Sequence, residues 1–169
     1  MEKPLLMVDV DGVISLFGFD PATPPAGSFQ LVDGIAHLLS ASAGEHLREL
    51  SRDFELVWCT GWEDKANEYL PLALGLPLRF PHVPFDKLDR PADAHWKLVG
   101  IDAYAGRSRP LAWIDDAHDD RCTAWAQGRN GPTLLVSTEP AVGLTDDHVT
   151  ELLAWRREAC AQPAQSASN

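Results

Sequence analysis

The stretch Leu5-Leu6-Met7-Val8-Asp9-Val10-Asp11-Gly12-Val13 decides the reading of the chain. It begins after Pro4 as an uninterrupted apolar run, the pattern of a strand buried on both faces. It ends in two carboxylates two residues apart. Side chains at that spacing on a strand point the same way, so Asp9 and Asp11 can face one spot at the carboxyl end. Gly12 lets the chain turn sharply there or pass close to a ligand. Like charges so near each other raise one another's pKa unless a cation lies between them. Read alone, the Asp-x-Asp-Gly pattern fits a turn or a calcium-binding loop as well as a catalytic pair.

Three further apolar runs repeat the theme. Glu55-Leu56-Val57-Trp58-Cys59 ends at Thr60-Gly61, and Pro110-Leu111-Ala112-Trp113-Ile114 ends at Asp115-Asp116. Thr133-Leu134-Leu135-Val136-Ser137 is a last strand. Pro81 and Pro84 demote Leu78 to Phe85 to a short edge strand, since proline gives no ladder donor. Helices are expected from Ala43, after the capping-box pattern Ser42…Glu45, and after Gly61, with Glu63 and Asp64 in the first turn and Ala66, Tyr69 and Leu70 inward. Pro71 should end or bend that helix. Further helices are expected over residues 92–105, from Asp119 to Gln127, and after Thr145 with Val149, Leu152 and Leu153 as the apolar face. Residues 13–40, with prolines and Gly27 between Asp20 and Ser28 as the tip, read as a flap-like hairpin. Strands alternating with helices give an α/β domain with a mainly parallel five-stranded sheet. Ligands of such sheets sit beyond the strand carboxyl ends, where Asp9, Asp11, Thr60, Asp115 and Asp116 all fall.

Composition narrows the function. At 169 residues, 45% hydrophobic and 23% charged, the chain reads as one globular domain over residues 1–161, with a polar, unperiodic tail at 162–169 expected to be disordered. Neither a membrane-length apolar run nor a signal-peptide pattern is present, so a cytoplasmic protein is the expectation. Cys59, Cys122 and Cys160 are odd in number and lack metal or disulfide spacing. A formal charge of −11, from 25 acids against 14 bases, argues against broad nucleic-acid binding but not against recognition of one phosphorylated end.

The order Asp9-Val10-Asp11-Gly12-Val13, then Thr60, then Lys97, then Asp115-Asp116 resembles the haloacid dehalogenase (HAD) superfamily over about residues 4–155. The segments 57–63, 111–116 and 143–145 are similar to a smaller branch, the HAD domain of multi-enzyme "Swiss army knife" RNA-repair proteins. The resemblance implies a three-layer α/β/α, Rossmann-like fold and a phosphatase. Asp9 would be the nucleophile and Asp11 the general acid and base. Thr60, the Gly61 amide and Lys97 would hold phosphate, with Lys87 as stand-in for Lys97. Mg²⁺ would bind Asp9, the Asp11 backbone carbonyl, and Asp115 or Asp116, similarity favouring Asp116. The intervals 12–59 and 61–96 leave no room for a cap domain once the flap and other elements are counted. An open site is therefore expected, with Phe17, Phe19, Trp62 and Glu63 as rim candidates and a phosphorylated protein or nucleic-acid end as substrate.

Blander readings stand beside these. Thr60 with Glu63 is also a capping box. A helical lysine such as Lys97 is by itself usually solvated, and Asp119 and Asp120 read as first-turn acids. The six histidines show no ligand spacing and receive no chemistry. Two other functions remain open: a non-catalytic binding module on the same fold, and a receiver-like phospho-accepting domain, whose strand order does not match. A dehalogenase would not need a general acid at Asp11.

Overall fold

The computed structural model describes residues 2–77, 79–85 and 93–161. Its centre is a four-stranded parallel sheet of β1 (Leu5–Val8), β5 (Glu55–Trp58), β6 (Leu111–Asp115) and β7 (Thr133–Ser137), in the order β5-β1-β6-β7. The apolar runs of β1, β5 and β6 form strands because their apolar side chains find a dry face on either side of the sheet, while β7 at the edge is only partly buried. Leu6, Val8, Leu56, Trp58, Ala112 and Ile114 enter one core, and Leu5, Met7, Val57, Leu111 and Trp113 the other. The first core is closed by α1 (Ala43–Leu50), α2 (Ala66–Leu74) and α5 (Asp146–Ala161), through Leu47, Leu50, Leu70 and Leu152. The second is closed by α3 (Leu98–Ala105) and α4 (Asp120–Gln127), through Ile101 and Cys122. This is the expected three-layer α/β/α arrangement. Among the described residues no helix is long and apolar enough to cross a membrane.

The expected fifth strand shrinks to one bridge. The Trp58 amide donates to the Pro81 carbonyl and the Val83 amide to that of Trp58, so His82 pairs with Trp58, while Pro81 and Pro84 have no N–H to extend the ladder. The segment is held by a side chain instead: Asn67 on α2 accepts from the Phe80 amide and donates to its carbonyl. Leu78, Lys87, Ala92 and the tail from Gln162 lie outside the described residues.

The flap is a three-stranded antiparallel sheet, order β2-β4-β3, of β2 (Ser15–Leu16), β3 (Gly27–Val32) and β4 (Ile35–Ser40). The expected tip is misplaced. The hairpin turns at Asp33-Gly34, both with positive φ (49° and 82°), as a two-residue turn between strands requires. The proline-rich segment only links β2 to β3. Two further expectations fail locally. Ser42 makes no capping hydrogen bond, although α1 does start at Ala43. Pro71 lies inside α2, which runs on to Leu74 and ends at Gly75 with φ of 63°. Residues 63–65 and 94–97 are 3-10 turns leading into α2 and α3 rather than their first α-helical turns.

Candidate active site

Because β5 and β6 flank β1, the three strand ends that carry Asp9, Thr60 and Asp115 are neighbours. The Asp9 amide donates to the Ile114 carbonyl at 3.1 Å, and the Cys59 amide to that of Val8 at 2.8 Å. One oxygen from each of Asp9, Asp115 and Asp116 lies within 4.8 Å of the other two. Acids from opposite parts of the chain therefore share one spot, the condition on which an active centre depended.

Lys97 enters the same spot from the 3-10 turn before α3. Its Nζ stands 3.0 Å from Asp9 Oδ2 and 2.6 Å from Asp115 Oδ2. All three are buried, at 3% exposure for Lys97, 7% for Asp9 and 1% for Asp115. Burial raises the Asp9 carboxyl; Lys97 opposes this, Asp115 adds to it, and the result is about 7. Burial works against the lysine's charge, yet the two carboxylates hold its pKa above the ordinary lysine range. Asp116, half-buried, is raised by burial and by Asp115. Two acids and one ammonium leave an excess of negative charge that a cation would neutralise.

The adjacent acids differ in what they already do. Asp115 Oδ2 holds Lys97, and its Oδ1 accepts from the Ala117 amide at 3.0 Å. Asp116 lies against the Asp11–Gly12 turn, where a β-carbon on Gly12 would stand 2.4 Å from its Cγ. Gly12 has φ of 76°, and the Thr138 hydroxyl, after β7, donates to its carbonyl at 2.8 Å. Only glycine suits both the dihedral and the approach. Hard oxygen donors of this kind fit Mg²⁺, and no thiolate or imidazole is among them.

A cavity of about 280 Å³ opens over these groups. Asp9, Asp11, Gly61, Lys97, Asp115 and Asp116 line it, with Phe17, Ala94, Trp96 and Ala117 at its sides. Thr60 is fully buried and Gly61 forms the wall at that strand end; the Thr60 hydroxyl accepts from the Trp62 amide at 3.2 Å. Of the rim candidates, Phe17 lines the cavity and is 49% exposed, whereas Phe19 is half-buried and is not among the lining residues. Glu63 has φ of 51°, a costly turn for a non-glycine residue.

Two residues make contacts with Asp11 that the sequence did not suggest. Trp62, expected at the rim, donates its indole N–H to Asp11 Oδ2 at 2.9 Å. His37, given no chemistry, stands on β4 with its ring edge against Trp62, at 4.8 Å and 72°, and Nδ1 3.7 Å from Asp11 Oδ1. A register that sets Ser15 opposite Leu39 and Gln30 opposite His37 brings it there, which no local spacing could reveal. Asp119 caps α4 by accepting from the Cys122 amide and also bonds His95 at 2.7 Å. With Asp93 these form a second group spaced to hold an ion.

Solved structures share the fold. The HAD domain of the effector protein Lem4 from Legionella pneumophila aligns at TM-score 0.57 and 14% identity, over 95% of this chain and 96% of that one. Its inactive mutant aligns at 0.58 and 13%, with the same coverage. The cobalt-bound deoxy-D-mannose-octulosonate 8-phosphate phosphatase from Haemophilus influenzae covers 97% and 95% at 15% identity and TM-score 0.46. Comparison with curated proteins gave no match. A family model described as "HAD domain in Swiss Army Knife RNA repair proteins" matches residues 5–149. The chain belongs to that HAD family.

Proposed function

We propose that the protein is a Mg²⁺-dependent phosphohydrolase working through an aspartyl-phosphate on Asp9. The observation that carries the reading is the meeting of Asp9, Asp116 and Lys97 at one cavity from three separate elements. Asp9, Asp116 and the Asp11 backbone carbonyl would hold the ion, with Asp115 left to fix Lys97. The bound ion supplies charge neutralisation for the phosphoryl oxygens and for Asp9.

The chain's own groups account for the remaining steps. An Asp9 oxygen attacks phosphorus while the bond to the leaving oxygen breaks, and the Asp11 carboxyl gives that oxygen its proton. Water then attacks the phosphorus; Asp11 takes a proton from it, and inorganic phosphate leaves with Asp9 restored. Lys97 and the Gly61 amide neutralise the transferring oxygens, and Thr60 fixes the Gly61–Trp62 turn. Phosphoryl transfer depends mainly on such positioning and charge.

The described residues in the intervals between these groups form the flap, α1, β5, the 63–65 turn, α2 and the 79–85 segment, which supports a site without a cap domain. An open mouth beside exposed Phe17 favours a phosphorylated nucleic-acid or protein end over a small metabolite. The buried free thiols Cys59 and Cys122 agree with a reducing cytoplasmic setting. Purified protein should hydrolyse p-nitrophenyl phosphate with Mg²⁺ and not in EDTA, and Asp9→Asn should abolish turnover. Equal rates for wild type and Asp9→Asn would defeat the reading. A panel of 3′- and 5′-phosphorylated oligonucleotides, phosphopeptides, nucleotides and sugar phosphates tests the substrate class, and a clear preference for a sugar phosphate would count against a polymer end.

A further inference from the structure

We infer that Trp62, buttressed by His37 of the flap, is a positioning residue that fixes which oxygen of the Asp11 carboxyl is turned to the leaving group. The inference rests on the reading of Asp11 as general acid. An indole N–H donates and never accepts. Its bond to Oδ2 at 2.9 Å therefore occupies that oxygen and leaves Oδ1 as the one available to a leaving group. Oδ1 faces the His37 side, but at 3.7 Å it is too far for a hydrogen bond, and His37 Nδ1 is 2.9 Å from the Ser15 hydroxyl. His37 thus acts through the ring contact with Trp62 and leaves Oδ1 free for the leaving group.

The brace is built from both sides. On one, Trp62 follows the Thr60 turn, with its amide on the Thr60 hydroxyl and the positive φ of Glu63 just after it. On the other, the flap is tied down at its tip, where Asp33 pairs with Lys65 and accepts from the Tyr69 hydroxyl. Flap and Trp62 are therefore anchored to the same segment, and Asp11 is held between them. A tryptophan serving as packing alone would not need its N–H aimed at a carboxylate.

The test uses leaving groups of different basicity. An alkoxide leaving group needs the proton and a p-nitrophenolate scarcely does, so kcat/KM, which reports steps up to phosphoryl transfer, separates the roles. Trp62→Phe keeps a ring against His37 and loses the donor. With 2-phenylethyl phosphate its kcat/KM should fall about 10–100-fold, less than the roughly 100–10,000-fold a general acid contributes because the acid itself is kept, and with p-nitrophenyl phosphate by less than about 3-fold. His37→Ala should show the same selectivity, and the double variant should be no worse than Trp62→Phe. An equal loss on both esters, or none on either, overturns the inference and leaves the phosphohydrolase reading standing. If wild type cleaves neither ester, that reading fails and the inference goes with it.

Discussion

Lys97 offers the sharpest view of the site's electrostatics, because Lys97→Met removes its charge and keeps most of its stem. The ammonium is 97% buried between Asp9 and Asp115, at 3.0 and 2.6 Å. Without it, two buried carboxylates face each other with no counterion. Breaking a buried pair by deleting one partner costs about 3–5 kcal/mol. For a chain of this size each kcal/mol moves Tm by about 2–4 °C, so the expected fall is about 6–20 °C. Thermal unfolding followed by circular dichroism, at pH 7.5 in EDTA, measures it directly. Lys97→Met/Asp115→Asn should recover more than half of the loss, because one buried charge is then gone. Adding Mg²⁺ to Lys97→Met should recover part of it as well, by binding only the folded state. A melting temperature within 2 °C of wild type (roughly one kcal/mol or less) would refute this account. So would a double variant no more stable than the sum of the two single losses, since groups in contact must couple.

Two more outcomes follow from the same geometry. In EDTA, wild-type Tm relative to Asp9→Asn should fall as pH rises from about 4 through about 7: burial raises the folded pKa of Asp9, so its contribution is present at low pH and lost on ionisation. A constant difference between the two melting curves across that window would contradict the assigned burial. Gly12→Ala should cost about 1–2 kcal/mol for its left-handed dihedral and displace Asp116, weakening Mn²⁺ binding at least tenfold (~1.4 kcal/mol) while the protein still folds. Unchanged Mn²⁺ affinity by calorimetry would show that Asp116 is no ligand.

The sheet was legible because its strands announce themselves: proline or a polar residue stands before each apolar run, and a carboxylate or Thr-Gly follows the three that carry the site. Strand-end placement brought together Asp9, Asp11, Thr60, Asp115 and Asp116, whereas Lys97, on the turn before α3, was marked only by the family resemblance. The flap was harder. Its prolines drew the turn to residues 20–28, whereas Asp33-Gly34, flanked by Val32 and Ile35, carried the true hairpin signal. Pro71 misled in the other direction, since the nine-residue helix does not end there but runs on to Leu74. Thr138 and His37 reach the site only through tertiary register, and no spacing along the chain encodes that; Trp62 was marked for the rim, but not its bond to Asp11. The division of labour between Asp115 and Asp116 was also hidden. Neighbours at a strand end point apart, so one turns to Lys97 and the other to Gly12.

The account stands most directly on whether Asp9 and Asp116 share a single cation. Mn²⁺ titration followed by electron paramagnetic resonance, on wild type, Asp9→Asn, Asp116→Asn and Asp119→Asn, tests this without calling on activity. One ion per chain is expected, lost in Asp9→Asn and Asp116→Asn and kept in Asp119→Asn. The same stoichiometry and affinity in all four proteins would mean that these carboxylates hold no metal between them.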